Sequence, residues 1–159
     1  MTARRETIFT KDFIDSVNED GAWFYKIPDA GAMHGRRPFD AVGCASGKFV
    51  AIEFKQYATI KPFGVRELPE HQIEKLIEVE QAGGIGLVGL FIKGRNGKGD
   101  YRLYMWRIFE LVAQERFTTL ELSTQAYTQA QRVSRIYTNK VGKESRKNVW
   151  RFDKVLEIL

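Results

Sequence analysis

The stretch from Phe39 to Tyr57, FDAVGCASGKFVAIEFKQY, reads as two strands around a short turn. Ser46-Gly47 separates two runs of apolar and β-branched residues, the local signature of a hairpin. If these two residues form a two-residue turn, Ala45 faces Lys48 and, further along the ladder, Asp40 faces Glu53. Directly opposed side chains have Cβ atoms roughly 4.5–5.5 Å apart, and like charges there are unfavourable. A divalent cation between them reverses that sign. Lys55 lies two residues past Glu53 and shares its face of the strand, while Val50, Ile52 and Phe54 take the other face and anchor it in the core. Two carboxylates and an amine therefore converge, and hard oxygen ligands of this kind suit Mg²⁺ or Mn²⁺. The same residues also fit a surface ion pair on an edge hairpin.

Outward from the hairpin, the pattern predicts helix, three strands, helix, strand, then further elements. Residues 5–20 are predicted helical, with Phe9, Phe13 and Val17 every four residues. Ala22 to Ile27 reads as an aromatic-rich strand ending at Pro28, and residues 29–37, with their glycines, as a loop. Thr59 to Leu68 reads as a loop. Pro69 suits the start of a second helix with Ile73, Leu76 and Ile77 as its apolar stripe, closed by Gly83-Gly84. IGLVGLFI, Ile85 to Ile92, is apolar on both faces and reads as an interior strand. A turn, GRNGKGD, leads to a strand from Tyr101 to Trp106. A helix near 107–115 follows, then helical or irregular segments.

Glu6 lies at the start of the core-facing stripe of the first helix. A carboxylate there needs a partner; the metal site supplies one, and an N-terminal capping role is the alternative. Gln72, four residues before Leu76, borders the stripe of the second helix. It fits a hydrogen bond to a nucleophilic water or phosphate oxygen, and equally a helix-border glutamine with no role.

The chain has 159 residues, 43% hydrophobic and 28% charged, which fits one domain with a real core. It is read as a single domain over 1–159, with a core at about 4–107 and a basic extension at about 108–159. The net charge of +5 is unevenly distributed. Residues 1–127 hold 17 Lys/Arg against 17 Asp/Glu, and residues 128–159 hold 8 against 3. Such asymmetry favours a polyanionic partner, because each neutralised phosphate releases a counterion. Arg4, Arg5, His34, Arg36, Arg37 and Lys61 flank the hairpin site in sequence and suit contacts to a phosphate backbone; each fits a surface charge as well. The single cysteine, Cys44, excludes an internal disulfide framework and is read as a small, half-buried strand residue. Two histidines with no HExxH pattern argue against a zinc hydrolase. The opening residues do not resemble a signal peptide, and no apolar run is long enough to span a bilayer. A cytoplasmic setting is expected.

Glu6, Asp40 and Glu53-Phe54-Lys55, in this order of elements, resemble the PD-(D/E)xK nuclease superfamily. The acidic motif here is Pro38-Phe39-Asp40, with one residue between proline and aspartate where the family has none. Within the superfamily the chain looks like the Holliday junction resolvases of archaeal type and the related RecU group. The residues that carry this are Arg4-Arg5-Glu6, the strand FVAIEFKQ, and HQIEKLIEVEQAGGIGLVGLFI from His71 to Ile92. The resemblance covers about residues 4–92. It implies an α/β fold, a mixed central sheet flanked by helices with a restriction-endonuclease-like αβββαβ core and C-terminal additions. It implies a Mg²⁺-dependent DNA endonuclease that resolves four-way junctions as a homodimer. Asp40, Glu53 and the Phe54 carbonyl would bind the metal, with Glu6 acting through water or on a second ion, and Lys55 would orient the attacking water. Two alternatives stay open: a repair or restriction-type nuclease acting on duplex, flap or single-stranded ends, and a non-catalytic nucleic-acid-binding module.

Overall fold

The computed structural model describes residues 2–19, 21–28, 37–92, 102–124, 132–138 and 144–150. Helix α1 (Thr2–Glu19) is followed by β1 (Trp23–Lys26), β2 (Ala41–Ala45) and β3 (Lys48–Tyr57). A short strand β4 (Phe63–Gly64) and a 3₁₀ turn (Val65–Glu67) precede α2 (Glu70–Gln81) and β5 (Ile85–Ile92). Then come β6 (Arg102–Arg107), α3 (Ile108–Gln114), β7 (Arg116–Phe117), α4 (Thr119–Thr124), β8 (Arg132–Thr138) and β9 (Glu144–Trp150). The main sheet has the order β1-β2-β3-β5-β6. It is mixed: β3 and β5 are parallel and the other neighbours antiparallel. This is an α/β fold with the expected αβββαβ order.

The Ser46-Gly47 turn closes the central hairpin, with Ala45 paired to Lys48 and the register running to Ala41 against Ile52. Both turn residues have positive φ, 51° and 75°, as a hairpin turn matched to strand twist requires, and glycine meets that demand without strain. Strand alternation then divides the core. Ala41, Ala45, Val50, Ile52 and Phe54 pack beneath α1 with Phe13, Ile14 and Val17. Ala51, Val88, Leu90 and Ile92 face the other way, toward Leu76 of α2. Parallel pairing at the centre explains why β5 is buried along its whole length.

Helix α2 lies very close to the sheet. A Cβ on Gly86 would stand 2.6 Å from the backbone oxygen of Leu76, so only glycine admits this approach. The end of α2 is tied to β6 by a half-buried ion pair, Glu80 with Arg107, and Glu80 also accepts the Gly86 N–H at 3.1 Å. Within Thr59–Leu68, expected as a loop, Phe63–Gly64 pairs with β7. Two residues are too short a strand to show a periodicity. The Phe63 and Phe117 rings stack against Trp106 at 5.6 and 5.0 Å, fixing this small ladder on the sheet.

The core continues past residue 107, with Ile108, Leu111, Phe117 and Leu122 all buried. Farther on, where helical or irregular structure is expected, β8 and β9 form an antiparallel hairpin lying against α1. Arginines and lysines interrupt the alternation there, so a period of two is hard to read. Cys44, expected half-buried, is exposed. It points to the α2 side of β2, at the end of the sheet that α2 does not cover. The GRNGKGD turn lies outside the described residues. Among the described residues no helix is long and apolar enough to cross a membrane.

Candidate active site

The β2–β3 register ends one step short of Asp40, and continuing it places Asp40 opposite Glu53. The ladder loosens at that step: the Asp40 N–H donates to the Ile52 carbonyl at 3.1 Å, and its own carbonyl accepts from the Ile27 N–H at 2.9 Å. Asp40 and Glu53 are both buried, at 6% and 2% exposure. Glu53, Lys55 and Tyr57 project to the α2 side of β3, and Lys55 Nζ lies 3.5 Å from Glu53 Oε1.

The two carboxylates differ in their partners. Asp40 Oδ2 accepts the Phe54 backbone N–H at 2.7 Å, and Oδ1 meets the Arg37 guanidinium at 2.5 Å. Glu53 Oε2 has no partner among the described residues. Its carboxyl is pushed up to about 8, chiefly by burial and next by the negative charge of Asp40, with Lys55 and Arg37 opposing. Asp40 therefore lies near enough to Glu53 to act on its titration. A residue in a strand sends its N–H and C=O to the same edge. The Phe54 carbonyl thus shares the edge on which its N–H meets Asp40.

Gln72 is buried at the start of α2, the helix on this face, and its Oε1 also has no partner among the described residues. Gln56 Oε1 and Trp106 Nε1 are the other two buried side-chain atoms in that condition. Lys61 is exposed, and its ammonium lies 4.0 Å from the centre of the ring of Tyr57, two residues beyond Lys55 on the same face. Tyr57 is itself pushed up to about 12 by burial and by the Glu67 carboxylate.

The hairpin thus brings Asp40, Glu53, Lys55 and the Phe54 backbone together, with Arg37 against Asp40. Arg37, expected on DNA, instead turns inward, reaching the Ile27 carbonyl at 3.3 Å as well as Asp40. Its spacing of three residues before an aspartate was the available signal. Arg4, Arg5 and Glu6 fall within α1, but their side chains lie outside the described residues, as do His34 and Arg36. Helix α1 covers the face opposite to Glu53. Among the described residues no group of three or more His, Cys, Asp or Glu side chains converges. Two facing carboxylates, one with an unsatisfied buried oxygen, and a backbone carbonyl still fit a hard divalent cation. Water and substrate phosphate normally supply much of the shell of such an ion.

No family model matches the chain, and no curated protein does. Among solved structures it is similar to Archaeoglobus fulgidus Hjc, a Holliday junction resolvase from an archaeal hyperthermophile. The identity is 20% and the TM-score 0.48, over 65% of this chain and 77% of that one.

Proposed function

We propose that the chain is a metal-dependent DNA endonuclease that hydrolyses phosphodiesters at four-way junctions. The observation that carries this reading is Glu53: a buried carboxylate opposite Asp40, beside Lys55, with one oxygen unsatisfied. An arrangement of like charges away from water is costly unless a cation joins it. Asp40, Glu53 and the Phe54 carbonyl would hold Mg²⁺, for which Mn²⁺ substitutes, and Glu6 would act through water or on a second ion. When bound, such an ion makes hydroxide available near neutral pH and draws charge from a phosphate oxygen.

The protein's own groups do the rest. Lys55 contributes a fixed positive charge beside the carboxylates, positioned for the negative charge that develops on the phosphate. Gln72 Oε1 accepts a hydrogen bond from the attacking water and so orients it. Phe54 holds Asp40 by donating to Oδ2, and Arg37 pairs with Oδ1, the oxygen that an incoming cation would have to take over. Junctions are the substrate to which the sequence resemblance points. A homodimer carries two such sites, one for each of two opposed strands.

The test is a gel assay with a mobile four-way junction, the matched duplex and Mg²⁺. Junction-selective cutting is expected, and Glu53→Gln should lower the rate by at least roughly 10²–10³-fold. Cutting by Glu53→Gln at the wild-type rate would overturn the assignment. Equal cutting of duplex would keep the chemistry and remove the junction.

A further inference from the structure

The face that holds Asp40 and Glu53 carries a second feature, on the edge strand. Phe24 of β1 is buried in the α1-side core. Alternation turns its neighbours Trp23 and Tyr25 to the opposite face, where they are 61% and 53% exposed. Their rings are parallel to within 8°, with centroids 6.5 Å apart. Stacked bases rise about 3.4 Å per step, so a base held between two parallel faces needs about twice that distance. Side chains two residues apart on a strand stand roughly 6.5–7 Å apart, and so the strand itself sets the gap.

The site's location matches this geometry. Tyr25 pairs with Val42 and Trp23 with Cys44, and the same register continues to Ile27 beside Asp40. Tyr25 is therefore one two-residue step from Asp40, about 7 Å along the strands and about 5 Å across them. The strand is also held firmly. Asn18 Oδ1 accepts the Phe24 N–H at 2.7 Å, and Asn18 Nδ2 donates to the Phe24 carbonyl at 3.1 Å. This side-chain amide occupies the outer edge of β1 where the strand of another copy would pair.

We propose that Trp23 and Tyr25 form a clamp that takes one unpaired nucleobase of DNA bound at the carboxylate pair. The identity of the ligand as DNA rests on the function proposed above; the clamp geometry does not. Base–aromatic stacking tolerates any sequence, because every base presents a π-face. At a branch point the continuous duplex stack is interrupted, so a base a nucleotide or two from the phosphate can be opened at lower cost than within a duplex.

The experiment uses the full chain with a chelator and four-way junctions carrying 2-aminopurine at each position flanking the branch. Quenching of the 2-aminopurine is expected at one or two positions. The double variant Trp23→Leu with Tyr25→Leu, whose fold is checked by circular dichroism, should lose it and bind roughly 5- to 150-fold more weakly. Leucine keeps the apolar contact and removes the stacking face, and Trp23→Phe with native Tyr25 should retain most of the quenching. Quenching at no position, or quenching and affinity unchanged in the double variant, overturns the clamp. So does a wild-type dimer that the double variant splits with DNA affinity per protomer unchanged, since a second copy then covers the rings. Cleavage is scored separately with Mg²⁺. Ring-dependent quenching by a protein that cuts no DNA upholds the clamp and sinks the nuclease reading, and cutting without such quenching does the reverse.

Discussion

Asp40 and Glu53 face each other but have opposite surroundings. Asp40 has a donor on each oxygen, whereas Glu53 relies on Lys55 at one oxygen and has none at the other. In metal-free protein this makes Glu53 a liability as the pH rises. The folded carboxyl is pushed from 4.5 to about 8, so the unfolded chain loses its proton first. The contribution to stability is fully present below about pH 4.5 and is lost as the pH rises through 8, at up to about 1.4 kcal/mol per pH unit. Glu53→Gln should therefore be more stable than wild type by a few kcal/mol at pH 8–9 in chelator, with the difference vanishing near pH 4. Denaturant melts of both proteins across that range check it, and parallel losses of stability would refute the burial account. Arg37 makes a second prediction possible at this scale. Its guanidinium occupies Asp40 Oδ1, where a divalent cation would compete. Arg37→Gln should tighten Mn²⁺ binding several-fold in isothermal titration, and weaker binding would show that Arg37 is needed to hold Asp40 in position.

At the scale of elements, the sequence was most informative where the chain is most local. A two-residue turn with one glycine fixes its own register, and from it follow the facing of Asp40 and Glu53 and the side taken by Lys55. The apolar run of β5 declared its burial on both faces for an equally local reason. The inward turn of Arg37 and the Glu80–Arg107 pair were not legible, because they depend on residues brought together across the fold. The same holds for the ladder of β4 and β7, whose two residues each carry no pattern. Gly86 belongs to this group as well: its position in an apolar strand says nothing of the helix backbone above it. Gly86→Ala would press a methyl group on the Leu76 carbonyl, an oxygen that cannot turn aside. It should destabilise the protein by about 1–3 kcal/mol in urea denaturation. Because α2 also carries Gln72, cleavage should fall along with stability. An unchanged midpoint would mean that α2 can move outward without loss.

For the whole molecule, the question is how the basic C-terminal segment relates to a site made entirely from residues before it. Residues 128–159 hold 8 Lys/Arg against 3 Asp/Glu, and part of that charge falls on the β8–β9 hairpin. The register there places Arg135 opposite Lys147. Like charges in directly opposed positions weaken a ladder, and an isolated two-stranded hairpin is marginal in any case. Here the hairpin rests on α1, whose residues also pack the far side of the active-site sheet. A polyanion bound there would neutralise part of this charge, so hairpin order and DNA binding should rise together. Changing Arg135 and Lys147 to serine should then lower the slope of log affinity against log salt by up to about 1.8 in magnitude, the release from two phosphates. Titrations of a four-way junction at several salt concentrations, with the metal chelated, give the slope directly. A slope equal to that of wild type would place these two cations off the DNA and leave the positive charge of the C-terminal segment without a role in binding.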